Sequence, residues 1–98
     1  MARPLPVFVL LGLGLAGCNT APVGFGGIDP VVVEVDGSTF EVRRKGDAAS
    51  SVRTNVEFAR PATILSKAAQ AIGQATGCDV VPGSLTGDQA IQRARLSC

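Results

Sequence analysis

Val31-Val32-Val33-Glu34-Val35-Asp36-Gly37-Ser38-Thr39-Phe40-Glu41-Val42-Arg43-Arg44 is the stretch whose reading decides the fold. Asp-Gly set between two alternating runs is the strongest short-range hairpin signal, because its residues accept the positive φ angles of a two-residue turn. Such a turn places Val35 opposite Ser38, Val33 opposite Phe40 and Val31 opposite Val42. Val31, Val33, Val35, Phe40 and Val42 then share one face, and Glu34, Thr39, Glu41 and Arg43 share the other. One register sorts apolar from polar in both strands, and a slip of one residue inverts both, so the pairing is strongly specified.

Downstream, Gly46 to Ser51 reads as a polar loop. Val52, Thr54, Val56 and Phe58 alternate with Arg53, Asn55 and Glu57, which predicts a third strand. Pro61 suits a first helical position and opens a helix to about Thr76. Leu65, Ala68, Ala69, Ile72 and Ala75 line one face of it, and Gly77 supplies the stop. A face so rich in alanine lies close to a sheet but buries little area per turn, so this helix depends on packing for its stability. Cys78-Asp79-Val80-Val81 begins a further strand that Pro82-Gly83 interrupts, and Ile91 to Cys98 returns after a turn at Thr86–Gln89. Folding back about Asp88 sets Cys78 opposite Cys98 and Val80 opposite Leu96. Leu85 and Ile91 fall on the wrong face unless Pro82-Gly83 bulges. A helix beginning at Asp88 stays open as the alternative, since Gln89–Arg95 has good helix propensity. The expected class is α+β: a small antiparallel sheet made of a hairpin, a third strand and a C-terminal hairpin, with one packed helix.

Upstream, Asn19 to Pro30 carries Pro22, Gly24, Gly26, Gly27 and a closing Asp29-Pro30, a composition that discourages helix and strand alike. It reads as a flexible tether, able when extended to span about 40 Å. Gly24-Phe25-Gly26-Gly27 lacks the following Lys-Ser/Thr and the preceding strand of a phosphate loop. Before it, Arg3 and the amino terminus give a short positive start, and Leu5 to Leu15 form an apolar run. That run is too short to span a bilayer as a helix, which needs about 20 residues, so it reads as an export signal.

The signal ends in Leu15-Ala16-Gly17-Cys18, which resembles a bacterial lipoprotein lipobox: an aliphatic residue, two small ones and a cysteine. The resemblance is confined to the stretch from Met1 to Cys18. It implies cleavage between Gly17 and Cys18, a diacylglyceryl group on the Cys18 sulfur, and acylation of the new amino group. Each buried acyl methylene contributes about 0.8 kcal/mol, and two or more chains make a durable anchor. The expected organisation is therefore a signal peptide at 1–17, a lipidated Cys18 with its tether at 18–30, and a small domain at 31–98. Asn19 after the cysteine, in place of Asp, resembles the outer-membrane sorting rule, which would place the domain in the periplasm.

Three cysteines is an odd number, and lipidation of Cys18 resolves it by leaving Cys78 and Cys98 as a pair. Export brings that pair into an oxidising compartment, where a disulfide persists. A domain this small buries only about 60% of its unfolded surface and gains much from such a staple.

The chain has nine basic and eight acidic residues; setting Arg3 aside with the signal leaves eight of each. A neutral balance argues against nucleic acid, which calls for a basic face. Arg43-Arg44-Lys45 is the one local basic run, read as a solvated strand end or as a contact for lipid headgroups or an anionic cell-wall polymer. There is no histidine, hence neither the commonest general base nor the commonest metal ligand. Cys78 and Cys98 lack redox-active Cys-x-x-Cys spacing, and Asp79 and Asp88 read as turn aspartates more readily than as an acid/base pair. Without Trp or Tyr a sugar-stacking platform is missing. No catalytic residues, metal site or cofactor are expected. The expectation is a non-enzymatic, membrane-anchored envelope protein that contacts an envelope protein or the cell wall, with a small-ligand or inhibitor module as the alternative. An exposed apolar face would favour the first and a closed pocket the second.

Overall fold

The structure, a computed structural model, describes residues 21–98, so the signal, Cys18 and the start of the tether lie outside the described residues. Among the described residues one helix packs on a curled antiparallel sheet of six strands: β1 (Val31–Val35), β2 (Ser38–Lys45), β3 (Ala48–Arg53), α1 (Pro61–Thr76), β4 (Asp79–Val80), β5 (Thr86–Gly87) and β6 (Ile91–Ser97). The strand order is β1-β2-β3-β6-β4, with β5 also pairing β6.

The hairpin forms in the predicted register, Val35 opposite Ser38, Val33 opposite Phe40 and Val31 opposite Val42. Asp36 (φ 46°) and Gly37 (φ 84°) are both left-handed. Two successive residues with positive φ are the geometry of a type I′ turn. Asp tolerates that conformation better than most side chains and Gly accepts it freely. Val35, Phe40 and Val42 are buried under the helix, while Val31 lies at the exposed start of the edge strand.

Strand β3 departs from the sequence reading. Gly46-Asp47 is a second tight turn, not the start of a loop, and Ala48–Arg53 pairs with β2 on one side and β6 on the other. Ala48-Ala49-Ser50-Ser51 has no apolar alternation to announce a strand. Its hydroxyls are satisfied across the sheet instead: Ser51 Oγ donates to Gln92 Oε1 at 2.6 Å and Ser50 Oγ to the Gln92 carbonyl at 3.2 Å. The amide of Gln92 completes the network by donating to the Asp88 carbonyl at 2.7 Å. A buried polar group that is fully paired avoids the desolvation cost that would otherwise exclude it from a core. The predicted strand through Phe58 ends at Arg53, and residues 54–60 leave the sheet.

The helix starts with Pro61 and ends at Gly77, whose N–H closes on the Gly73 carbonyl at 2.9 Å. Ile64, Ala68, Ala71 and Ile72 are its buried residues. The stripe is thus turned slightly from the predicted one, and Leu65 and Ala69 are only half-buried. Together with Val35, Phe40, Val42, Ala49, Ala94 and Leu96 these residues make a single core.

The last hairpin holds the predicted register at its closed end, with Asp79 opposite Ser97 and Val80 opposite Leu96. A disulfide joins Cys78 and Cys98, whose Cα atoms are 4.5 Å apart. Pro82-Gly83 does bulge: Ser84 N–H turns back to the Val81 carbonyl at 3.0 Å, and pairing resumes with Thr86 opposite Arg93. The extra residues bring Leu85 onto the core, while Ile91 stays exposed. The alternative helix from Asp88 does not form. Gln92, Ala94 and Leu96 alternate inward along β6, and their burial against β3 overrides local helix propensity. Gly87 passes so near β6 that a Cβ would lie 2.2 Å from the Ile91 carbonyl oxygen.

The face of the sheet away from the helix is not bare. Residues 21–30 are irregular, as expected, but over these residues the expected free tether is a docked segment. Two turns, Phe25 N–H to Pro22 O and Ile28 N–H to Phe25 O, fold it compactly. Arg43 Nε donates to the Ile28 carbonyl at 3.0 Å and Arg93 Nη2 to the Val23 carbonyl at 3.2 Å. Phe25 is buried apart from the core under the helix. Arg43 and Ser50, side by side on this face, are buried too.

Candidate interaction surface

Residues 54–60 run between β3 and α1 in an extended course with alternating burial, so the predicted alternation is real. Its sense is inverted. Asn55, Glu57 and Ala59 turn toward the domain, while Val56 (97% exposed) and Phe58 (106%) stand in solvent. The hydrophobic effect alone would choose the opposite arrangement. What outweighs it is a set of polar contacts to the inward side chains.

The segment is fastened first through its backbone, by Thr54 N–H to the Thr39 carbonyl at 2.9 Å. Asn55 then reads the start of β2 from both ends of its amide. Its Oδ1 accepts from Thr39 N–H at 2.9 Å, and its Nδ2 donates to the Gly37 carbonyl at 3.3 Å. Glu57 is the hub. Its carboxylate accepts from Ser38 Oγ and from Asn55 Nδ2, the latter at 2.8 Å, and pairs with Arg53 Nη1 at 3.1 Å and Lys67 Nζ at 3.7 Å. At the far end, Gln89 Nε2 donates to the Ala59 carbonyl at 3.1 Å. The Ser38 and Asn55 hydrogen bonds, with Arg53 and Lys67 beside them, lower the Glu57 pKa from 4.5 to about 2, against the opposing effect of partial burial.

Ser38 Oγ and Lys67 Nζ lie 3.1 Å apart, a spacing that would suit a nucleophile and its base. Here Ser38 is buried and gives its proton to Glu57, and Lys67 Nζ also donates to the Asp36 carbonyl at 3.0 Å. The pair holds the segment in place and presents no open hydroxyl to a substrate.

The residues singled out in the sequence fall elsewhere. Cys78 and Cys98 meet as a disulfide. Asp79 and Asp88 lie near opposite ends of β6 and are not brought together. Asp88 serves the β5–β6 turn, its Oδ1 accepting from Ile91 N–H at 2.9 Å and Ala90 N–H at 2.8 Å, and these bonds hold its carboxyl below the usual range. The Arg43-Arg44-Lys45 run divides between the two sheet faces. Arg43 is buried beside Glu41 (3.7 Å), whereas Arg44 bonds the Gly46 carbonyl and Cys98 Sγ, and Lys45 is exposed. Among the described residues no three His, Cys, Asp or Glu side chains cluster as a metal site would require. No described helix is long and apolar enough to cross a membrane. Two open grooves flank the start of β1, one of about 410 Å³ beside Asp29, Glu41 and Arg43 and one of about 220 Å³ beside Val31, Val42 and Thr76.

Sequence reasoning names none of residues 54–60 as a site. The only trace is the Val52–Phe58 alternation, which is the same whichever face turns inward. The chain matches no protein-family model, no curated protein and no solved structure.

Proposed function

We propose that the chain is a bacterial envelope lipoprotein, anchored through Cys18 to the outer membrane and facing the periplasm, that docks a protein partner on Val56 and Phe58. The observation that carries the docking reading is the inverted segment: two large apolar side chains wholly exposed on a backbone fixed by the Glu57 hub. A buried aromatic anchor is the kind of contact that dominates protein interfaces, and one already fixed in place loses little entropy on binding. The partner it fits has an apolar cleft wide enough for a phenyl ring. The anchor is supported by the Leu15-Ala16-Gly17-Cys18 motif, and the Cys78–Cys98 disulfide suits an exported chain. The small-ligand alternative calls for an enclosed pocket, and the two grooves beside β1 are open.

Two measurements test the parts separately. Labelled fatty acid should enter the wild-type chain and not Cys18→Ser, which should accumulate as precursor; wild-type protein without label refutes the anchor. A photo-crosslinking residue at Phe58 should give one discrete adduct in intact cells that Val56→Asp abolishes. The same residue at Gln74, exposed on α1, should give none. Equal adducts at the two positions refute the docking strip.

A further inference from the structure

Residues 21–30 are docked on the helix-free face of the sheet and set where the described chain begins. Ala21 is the first described residue, and it lines the groove over Glu41 and Arg43 on the sheet face away from the helix. Only Asn19 and Thr20 separate it from Cys18. The Cα atoms of Cys18 and Ala21 are therefore no more than about 11 Å apart, and the sulfur no more than about 14 Å from Ala21, whatever path those residues take. A tether running freely from Cys18 to Pro30 would allow any orientation. With residues 22–28 folded on the sheet by Arg43, Arg93 and buried Phe25, the described chain begins on one face.

That face carries exposed cations. Lys45, Ala48 and Arg95 form one row across β2, β3 and β6, and Arg43, Ser50 and Arg93 form the next. Lys45, Arg93 and Arg95 are exposed, and the Arg93 guanidinium holds the Val23 carbonyl, beside the exposed Val23 side chain. Acidic groups share the face: Asp29 and Glu41 line the groove beside Arg43, with Glu34 on the edge strand, Asp47 in the β2–β3 turn and Asp79 on β4 further out. Charge acts over about 8 Å at physiological salt, so cations reach headgroups only where an anchor holds their face against the bilayer.

Resting on the lipidation reading, we infer that the helix-free face of the sheet lies on anionic phospholipid headgroups, with Lys45, Arg93 and Arg95 against them and Val23 at the lipid boundary. The helix then points away from the bilayer.

The chain contains no Trp, so a single introduced Trp reports without background. Lipidated protein purified from envelopes is reconstituted into vesicles of phosphatidylcholine and phosphatidylglycerol carrying brominated lipid, which quenches Trp at the interface. Val23→Trp should lose fluorescence and Gln70→Trp, exposed on α1, should not. Replacing the phosphatidylglycerol, or combining Lys45→Gln with Arg95→Gln, should relieve the quenching while the protein still floats with the vesicles. A chain without lipid overturns the anchor and this inference together. A lipidated chain that floats, yet quenches equally at both positions or only at Val56→Trp, overturns this inference and leaves the anchor standing.

Discussion

Replacing both Cys78 and Cys98 by Ala removes a covalent closure spanning 20 residues. In the chain-entropy model a loop of that length stabilises by about 3 kcal/mol, through the freedom it denies the unfolded chain. The native state adds reasons for a cost of this size. Strand β4 has only two residues, held by the pairs Asp79–Ser97 and Val80–Leu96, and a ladder so short frays once its covalent end is opened. Cys78 is also a buried member of the core, so trimming its sulfur removes packing. For a domain of this size about 3 kcal/mol corresponds to a fall in Tm of about 12–24 °C. The urea midpoint should fall by about 1–3 M. Hydrogen exchange should localise the lost protection to β4, the bulge after it and the end of β6, leaving the Val31–Lys45 hairpin protected in the folded fraction. A urea midpoint unchanged within error would refute the reasoning. So would mass spectrometry of unreduced, alkylated protein showing free thiols at both positions.

Glu57 makes stability depend on acid. Its pKa is lowered from 4.5 to about 2 in the folded chain, so protonation favours the unfolded state; the contribution is complete above about pH 4.5 and is lost as the pH falls through about 2. Urea midpoints of wild type and Glu57→Gln should therefore differ most above pH 4.5 and converge toward pH 2, and a pH-independent difference would count against the hub. At Gly87, whose φ is positive, a Cβ would lie 2.2 Å from the Ile91 carbonyl oxygen. Backbone strain and the steric clash together should make Gly87→Ala destabilising by about 2–4 kcal/mol. Gly26 has open space around it and no left-handed φ. Gly26→Ala should therefore change stability by about 0.5 kcal/mol or less. Equal thermal shifts for the two variants would refute the close approach at Gly87.

Which parts of this fold are legible in the sequence follows from where their determinants lie. The hairpin carries its own: alternation, turn and register sit within Val31–Arg44, and no distant residue is needed to orient them. The helix likewise shows its start and stop locally at Pro61 and Gly77. Strand β3 is hidden because Ser50 and Ser51 become acceptable in a core only through Gln92, far along the chain. The docking of residues 21–30 is hidden for a related reason. Arg43 and Arg93 hold backbone carbonyls, and every residue has one, so no side-chain pattern marks the acceptor. The proposed docking strip is the least visible, since the contacts that turn Asn55 and Glu57 inward come from β2 and from Lys67 on the helix.

The same contacts bear on why the strip is held still. Fixing one residue's backbone costs about 1–2 kcal/mol. Residues 54–60 recover little of that by burial, since Val56 and Phe58 bury almost nothing. A chain selected for stability alone would let such a linker move or turn its apolar side chains inward. Instead the buried Ser38, both ends of the Asn55 amide, and the charges of Arg53, Glu57 and Lys67 are committed to one extended course. Ordering a surface before contact removes that entropic cost from the binding step, and the advantage goes to whatever covers Phe58. On the proposed docking reading, this ordering links the polar hub to the partner, because a strip held still before contact binds at a lower entropic cost. Loosening the hub with Glu57→Gln should therefore weaken crosslinking at position 58 even at neutral pH, where the domain remains folded.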